Sequence, residues 1–382
     1  MHVVDENPSK NTSHFVSLLQ SSPALGSHIK RLILEGRRFD NGNQTPWPIA
    51  FAGRATPYHA FMSYSNPPLT TGGLLGILSS LPHLRALHLC RFQLSRSSLL
   101  DPSLKGSFQL EELEMMHIKG TPQGIPDILD VLGFFSQVET LSMRHIDNAN
   151  PNTNVSDHLS SILSTFSVKS LSMPSSVAGI GSYLDVIDRT RTMKTLERLD
   201  LECIPLDTEY LRTLSRVITN GSLNIEQLSL RFSDIKNYTL ASHNLSDLLN
   251  PTLSSLTSLR SFAIYSPLNV SVVSADASIW TIVIDLISAL PTTIRHVNIA
   301  FQDGVIPLHP SWKTTVERMN GSALRVALER FTELEVVRFI HICRGQMDLR
   351  GVSIVERALP ELAERNILRF EQRELKERFN AW

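Results

Sequence analysis

Two short stretches contain residue types that could serve cofactor or metal chemistry. Gly179-Ile-Gly181 has two glycines of the kind that cradle a pyrophosphate, but the third glycine is absent and no dinucleotide-binding strand precedes it. We therefore predict a turn that leads into a helix containing YLDVIDRT, residues 183–190. His341-Ile-Cys343 could supply two metal ligands, but no second ligand pair accompanies it, so packing after a strand is favoured.

Other signals for catalysis are weak. The sequence has no GxxxxGK[ST] phosphate-binding loop and no HExxH helix, and its 13 histidines are scattered. Asp185 and Asp188, followed by Arg189 and Arg191, are typical of a solvated helix face. We therefore predict a protein without catalytic residues, cofactor or metal.

Composition places the chain among folded proteins. It has 382 residues, 42% of them hydrophobic and 19% charged, and its net charge of −1 comes from 36 basic and 37 acidic residues. That balance argues against nucleic acid as the main partner. The sparse, odd set Cys90, Cys203 and Cys343 predicts buried reduced thiols. With no signal pattern and no apolar run of about 18 residues, the expectation is a monomer of the cytoplasm or nucleus that does not bind membranes.

One phrase, apolar-x-x-apolar-x-apolar, recurs along the chain. Examples are LRALHL at 84–89 and LERLDL at 196–201. The phrase begins at Ile29, Leu84, Leu110, Val138, Val168, Leu196, Ile225, Leu259, Ile294 and Leu334, with a degenerate copy at 365–370. From Leu84 onward the copies start 26 to 40 residues apart, which is the spacing of a repeat protein. Alternation within the phrase predicts a short strand with one buried face.

A helix-like segment with apolar residues at i, i+3 and i+4 precedes most copies of the phrase. These segments lie at 70–82, 124–137, 155–167, 207–222, 278–291 and 322–333. Ser156 and Asp207 are candidate N-caps, and Pro82 and Pro291 are candidate stops. Each unit is thus helix, turn, strand and return loop. About eleven such units predict an α/β leucine-rich-repeat-like solenoid, a curved horseshoe with parallel strands on the concave face and helices on the convex face.

We predict a single solenoid domain over residues 1–382. Residues 1–83 would form irregular units with a long loop at 36–70, and residues 84–370 the regular repeats. A second rim loop is predicted at 302–312, and an amphipathic capping helix at 371–382. One alternative, a hydrolase or transferase with its site in the rim loops around Trp47 and Trp312, has no nucleophile–base pair to support it.

The variable residues of the phrase face the predicted concave side in two rows. The central row is Ile33, His88, Glu114, Ser142, Ser172, Asp200, Ser229, Ala263, Asn298 and Arg338. The next row is Glu35, Cys90, Met116, Arg144, Pro174, Glu202, Arg231, Tyr265, Ala300 and Ile340. Charges of both signs mix there with small polar and exposed apolar residues, as in a protein-recognition surface. The candidate protein-binding residues are His88, Glu114, Arg144, Asp200, Glu202, Arg231, Tyr265, Asn298 and Arg338.

HVVDENPSKNTSHFVSLLQSSPALGSHIKRLIL at 2–34, with the later SSLPHLRALHL and ALPELAERNILRF, resembles fungal F-box/leucine-rich-repeat-like proteins over essentially the whole chain. The Asn that follows LxxLxL in stricter repeats is absent after Leu89 and after Leu201. The resemblance implies that the repeats recognise a protein target for an SCF-like ubiquitin ligase. In that family an F-box binds a Skp1-type adaptor; this chain begins where the F-box ends, so adaptor binding is expected only with an F-box upstream. The alternative is a stand-alone scaffold or decoy.

Overall fold

The structure is a computed structural model. It describes residues 2–5, 8–36, 68–95, 105–119, 125–146, 165–174, 177, 179–232, 238–268, 279–303, 312–343 and 349–374. The chain divides into two compact units: unit 1 contains residues 1–168 and 176–182, and unit 2 contains residues 169–175 and 183–382. The prediction of one domain over 1–382 stays a prediction. No helix in the described ranges is long and apolar enough to span a bilayer.

Unit 1 contains parallel strands. They are β1 His2–Asp5, β2 Arg31–Gly36, β3 Pro68–Thr70, β4 Ala86–Cys90, β5 Gln93–Ser95, β6 Phe108–Met116 and β7 Phe135–Arg144. Five of these strands lie side by side in the order β1-β2-β4-β6-β7, and β3 pairs with β5 in a separate small sheet. Every pairing recorded among these strands is parallel.

Most of unit 2 is built on the strands that follow. They are β8 Ser167–Met173, β9 Arg198–Cys203, β10 Gln227–Phe232, β11 Ser261–Leu268, β12 His296–Asp303, β13 Val336–Cys343 and β14 Leu368–Glu374. They lie in sequence order, and each recorded pair is parallel. Parallel neighbours in sequence order require each connection to return along the sheet, and helices provide those returns.

The helices alternate with the strands. They are α1 Pro8–Ser21, α2 Pro23–His28, α3 Thr71–Ser79, α4 Ile125–Leu132, α5 Ile180–Asp188, α6 Thr208–Asn220, α7 Tyr238–Leu248, α8 Asn250–Ser254, α9 Ile279–Ala289, α10 Trp312–Glu317, α11 Gly321–Glu329, α12 Leu349–Ala358 and α13 Pro360–Glu364. A short 3₁₀ helix, Arg191–Lys194, lies between α5 and β9. The protein is therefore an α/β fold with parallel sheets.

The recurring phrase predicted the strands correctly. Each of its eleven copies leads into one strand, from β2 through β4 and β6 to β14, and only β1, β3 and β5 were missed. The alternate apolar residues of the phrase are buried: Leu87 and Leu89 in β4, like Leu199 and Leu201 in β9, are at most 1% exposed. These residues form the core between the strands and the helices, which is the pleat pattern that the alternation requires.

Three helix starts show why these segments become helices where they do. Thr70, Asp207 and Asn320 each accept a hydrogen bond from the backbone N–H three residues on, which satisfies an otherwise unpaired donor. Asp207 was a predicted cap and is confirmed, with a distance of 2.9 Å from its Oδ1 to the amide of Tyr210. The predicted cap Ser156 lies outside the described residues.

The long repeats near the C-terminus contain more than a loop. The predicted rim loop 302–312 is wrong at both ends, because Gln302 and Asp303 belong to β12 and Trp312 opens α10; residues 304–311 lie outside the described ranges. Trp312 is fully buried and packs against Phe301, with ring centroids 5.9 Å apart. The extra length therefore adds a short helix whose tryptophan fills the interior.

The predicted capping helix at 371–382 is also wrong where the structure describes it. Residues 371–374 continue β14, because the alternation that begins at Leu368 carries on along the last copy of the phrase. Residues 375–382, most of the predicted loop 36–70 and most of the predicted helix 155–167 lie outside the described residues.

Candidate interaction surface

Strand register aligns the predicted rows within each unit. In unit 1, Ile33 pairs with His88, and His88 with Glu114. In unit 2, Asp200 lies beside Ser229, and Asn298 beside Arg338. The second row is aligned in the same way, except for Pro174, which lies beyond the end of β8. We call the side of each sheet that carries these rows the polar face; the alternate residues of the same strands form the buried core.

His88 is the centre of a group on the polar face of unit 1, the His88 cluster, which comprises Arg31, His88, Glu112, Glu114 and Arg144. The His88 ring lies between two carboxylates, with its Nε2 3.3 Å from Glu112 and its Nδ1 3.3 Å from Glu114. Arg31 donates to the other oxygen of Glu112 at 2.6 Å. Arg144 Nε lies 4.0 Å from Glu114. Residues from four neighbouring strands, β2, β4, β6 and β7, are thus linked around one imidazole.

The contacts within the His88 cluster lower the pKa of Glu112. Burial alone would raise the pKa of this carboxyl, but the hydrogen bond from Arg31 and the positive charges of His88 and Arg31 lower it below its ordinary value. One donor atom from each of His88, Glu112 and Glu114 lies within 4.8 Å of the others. The two ring nitrogens, however, face different carboxylates instead of a shared point. The arrangement is that of an ion-pair network around the ring.

One second-row residue of unit 1 differs from the prediction of exposed apolar side chains, because Met116 is buried at 8% exposure. Cys90 is buried at 6% exposure, as predicted for the thiols. The charged neighbours of Cys90, Glu35 and Arg91, form an ion pair at 3.0 Å. Burial raises the pKa of the Cys90 thiol to about 12, so the thiol is protonated at neutral pH.

The polar face of unit 2 carries a longer set of contacts, which we call the Arg231 network: Ser172, Asp200, Arg231, Tyr265, Asn298, Arg338, Glu371 and Arg373. Arg231 donates to both oxygens of Asp200, at 2.8 and 3.1 Å. Its guanidinium also lies 3.9 Å from the centroid of the Tyr265 ring. Ser172 donates to Asp200 at 3.1 Å. Four consecutive strands, β8 to β11, are joined in this way.

Glu371 organises the other end of the Arg231 network. It accepts from Arg373 at 2.6 Å and lies 3.4 Å from Arg338, whose guanidinium also reaches Asn298 at 3.2 Å. The hydrogen bond from Arg373 lowers the pKa of Glu371, and the charges of Arg373 and Arg338 lower it further, against an opposing effect of burial. Two arginines therefore share one ionised carboxylate.

Two other second-row residues, Ala300 on β12 and Ile340 on β13, lie between Tyr265 and Glu371 in the strand register. They are each 1% exposed, where the sequence predicted exposed apolar side chains. The longer polar side chains on either side of them therefore form the accessible part of this face.

The predicted binding residues separate into three contact groups. His88, Glu114 and Arg144 meet in unit 1, Asp200, Arg231 and Tyr265 meet in unit 2, and Asn298 meets Arg338. Glu202 is half-buried in its predicted row, and its backbone carbonyl accepts a hydrogen bond from the Tyr210 hydroxyl.

Sequence reasoning missed four members of these groups. Arg31 and Glu112 lie two residues before Ile33 and Glu114 on the same strands, so extending the rows by one pleat would have found them. Glu371 and Arg373 were missed because their segment was assigned to a helix.

The residues considered above for cofactor or metal chemistry have the following surroundings. Cys90, Cys203 and Cys343 are buried and free of disulfides, as predicted. His341 and Cys343 lie within β13 and not after a strand, but the packing interpretation holds for His341, which is buried with its ring stacked on Trp312 at 5.7 Å. Gly179 has a φ of +72°, which suits the turn predicted before α5.

Asp185 and Asp188 are not simply solvated as predicted. Both bind Arg216 of α6, and Asp188 also accepts from Asn220 at 2.6 Å.

A scan against protein-family models and a search of curated proteins both return no match for this chain.

Proposed function

We propose that this protein is a non-catalytic protein-recognition module, a leucine-rich-repeat-like solenoid whose polar face is the concave, partner-binding side. The observation that carries the proposal is the Arg231 network. Its side chains come from seven successive strands and hold one another in place in two groups, one on β8 to β11 and one on β12 to β14, on a face where sheet register sets their spacing. A rigid array of side chains loses little conformational entropy on binding, which favours recognition.

The chemistry of the polar face fits a protein partner better than other ligands. Arginine and tyrosine are the residue types that most often anchor protein interfaces, and Arg231 and Tyr265 lie in direct contact. Each Arg of the network is balanced by a carboxylate or amide, unlike the continuous positive strip that tracks a phosphate backbone. The surface therefore offers hydrogen-bond donors and acceptors of both signs, as protein interfaces do.

We further propose, from the resemblance of residues 2–34 and the later units to F-box/leucine-rich-repeat-like proteins, that the recognised protein is a target of an SCF-like ubiquitin ligase. This step rests on the resemblance alone. Its test is co-purification of a Skp1-type adaptor with the protein expressed from its native locus. Recovery of a target without any adaptor would favour the stand-alone scaffold.

The recognition proposal is tested with peptides selected for binding from a displayed proteome library. Affinities of the selected peptides are measured for the native chain and for Asp200→Lys, Arg231→Glu and Arg338→Glu. We expect each variant to lose at least about tenfold in affinity, because each removes a central charged anchor and leaves its neighbour unpaired.

The matched control reverses one charge on a helix of unit 2. Arg216 binds Asp185 and Asp188 there, in an ion cluster of similar composition. Arg216→Glu should leave the affinity of the selected peptides unchanged. Unchanged affinity in all three polar-face variants, or an equal loss in the control, would contradict the proposal.

A further inference from the structure

The last strand of unit 2 has an open edge among the described strands. β14 pairs through one side with β13, in register from Val337–Leu368 to Cys343–Glu374. In the strand order of the sheet it stands at the end, and within the described ranges no strand pairs with its other side. Such an edge presents backbone donors and acceptors to which an extended chain can add.

The buried row that ends on β14 is incomplete. Ile264, Ile299, Phe339 and Phe370 are lateral neighbours on β11 to β14. The first three are at most 1% exposed, whereas Phe370 is only half-buried although its ring stacks on Phe339 at 5.8 Å. One further strand would cover Phe370 as its neighbours are covered.

The outward side chains of β14 carry a charge pattern that specifies a partner. Arg369 and Arg373 flank Glu371 at alternate positions, and Arg338 lies beside Arg369 on β13. Glu371 is bound to Arg373 and faces Arg338, whereas the Arg369 guanidinium reaches only the neutral oxygens of Asn366 and Leu368 in its recorded hydrogen bonds. Three guanidinium groups on β13 and β14 are thus accompanied by a single carboxylate, Glu371, which leaves a local excess of positive charge.

We propose that the β14 edge binds an extended acidic segment of a partner protein by strand addition. Carboxylates four residues apart, about 13 Å along a strand, would face Arg369 and Arg373. The residue midway between them faces Glu371 and is basic or neutral, and an apolar residue covers Phe370. Opposite charges on neighbouring strands stabilise such pairing. The edge shares Glu371 and Arg373 with the Arg231 network, but here the partner is held by the backbone of β14 and not by the anchors Asp200 and Arg231. The inference therefore goes beyond the proposed function and does not depend on it.

Two labelled nine-residue peptides test the proposal on the full chain by fluorescence anisotropy. The acidic peptide has Glu at positions i and i+4, Lys at i+2 and Val between them; the inverted peptide exchanges Glu and Lys. We expect the acidic peptide to bind about tenfold more tightly, from several favourable cross-strand pairs that the inverted peptide replaces by repulsions. Arg369→Glu/Arg373→Glu should reverse this preference.

Two controls separate the edge from other surfaces. Arg350→Glu/Arg357→Glu makes the same charge change on α12 and should preserve the preference for the acidic peptide. Arg231→Glu, which disrupts the polar face, should also leave this binding unchanged, so failure here and failure of the proposed function are distinguishable. Circular dichroism and thermal unfolding confirm that the variants are folded.

The backbone is tested with an acidic peptide N-methylated at alternate amides, the positions that would pair with β14. Strand addition predicts loss of binding when one alternate set is methylated and retention when the other set is methylated. Equal binding of the acidic and inverted peptides, or no binding of either, would overturn the proposal. The charged side chains of β14 would then serve only to prevent other strands from adding to the edge. A dimer of this chain that excludes the acidic peptide and that Arg369→Glu/Arg373→Glu dissolves would also overturn the proposal.

Discussion

Unit 1 and unit 2 end their strands differently, although both carry the same recurring phrase. In three strands of unit 1, β4, β6 and β7, the residue after the second polar row has a left-handed backbone conformation: Arg91, His117 and His145 have φ values of +62°, +55° and +52°. The amides of Arg91 and His117 still donate to the neighbouring strand, at 2.9 and 3.0 Å. The chain turns inward one residue later, at the buried Phe92, Ile118 and Ile146.

In unit 2 the equivalent residue stays in the strand and is itself buried. Cys203 and Phe301 are fully buried immediately after the second-row residues Glu202 and Ala300. β11, β12 and β13 then continue further, and the long helical connections supply Trp280 and Trp312 to pack against Phe301. These strands of unit 2 therefore continue where their connections supply side chains that cover them.

The largest expected effect tests the aromatic interior of unit 2. Phe301→Ala should reduce the free energy of unfolding by about 3–5 kcal/mol, because it opens a cavity between Trp280 and Trp312. Urea denaturation measures it. Leu223→Ala, at a residue 76% exposed, should change the value by less than about 0.5 kcal/mol. A loss below about 1 kcal/mol for Phe301→Ala would mean that this interior is not tightly packed.

Substitution of one helix glycine by alanine in each unit tests how tightly the two units are packed, because it adds a single methyl group. A Cβ on Gly351 would lie 2.3 Å from Trp312 Nε1, whereas a Cβ on Gly76 of α3 would meet nothing within 4 Å. Gly351→Ala should destabilise unit 2 by about 1–3 kcal/mol. Gly76→Ala should stabilise unit 1 by about 0.4–1 kcal/mol. Thermal unfolding monitored by calorimetry gives both shifts, and shifts of the same sign would refute the contrast.

The left-handed residues give a third test. His117→Val should cost about 1–2 kcal/mol relative to His117→Asn, because a β-branched side chain disfavours positive φ whereas asparagine tolerates it. Cys203→Val, at the equivalent extended position, should cost less than about 1.5 kcal/mol. Chemical denaturation of the three variants decides the matter. Equal stability of His117→Val and His117→Asn would show that the strand ends of unit 1 do not need the left-handed turn.

The smallest effect concerns pH. The pKa values of Glu112 in unit 1 and Glu371 in unit 2 both lie below the ordinary 4.5. Each ionised carboxylate therefore stabilises the folded chain above about pH 4.5, and this contribution is lost as the pH falls through the lower folded pKa. Arg31→Met and Arg373→Met should each remove about 0.3–1 kcal/mol at pH 7, since both carboxylates are partly exposed.

The difference between each of these variants and the native chain should shrink toward zero in acid. Arg85→Met serves as the control, because Arg85 and Glu111 form a pair at 3.1 Å in which both side chains are more than half exposed. It should change the stability by less than the other two variants. A difference that persists unchanged in strong acid would show that Arg31 and Arg373 stabilise through packing and not through charge.

Much of the fold could be predicted because its signal is local and repeated. Leucines two apart, as at Leu87 and Leu89, mark one buried face of a strand wherever they occur. The two rows of the polar face followed from the same period. β1 carries no copy of the phrase and was missed, and the segment 371–374 was misassigned because RELKERFNAW also satisfies a helical period.

The contacts on the polar face could not be predicted in the same way. Arg231 and Tyr265 are 34 residues apart in sequence, and their contact depends on register and on side-chain rotamers. Burial of Ile340 depends on side chains from neighbouring strands, since Tyr265 and Glu371 lie in the same register row on β11 and β14. Pairing in three dimensions decides such features, and no local pattern encodes them.

The sequence by itself determined which residues are strands, which of their side chains enter the core, and how often the repeat recurs, because these depend on pleat and helix periods within one repeat. Only the tertiary structure decided where each strand ends, which polar side chains meet, and which apolar residues are covered. Those outcomes depend on contacts between neighbouring repeats, whose helices and aromatic side chains are far apart in sequence.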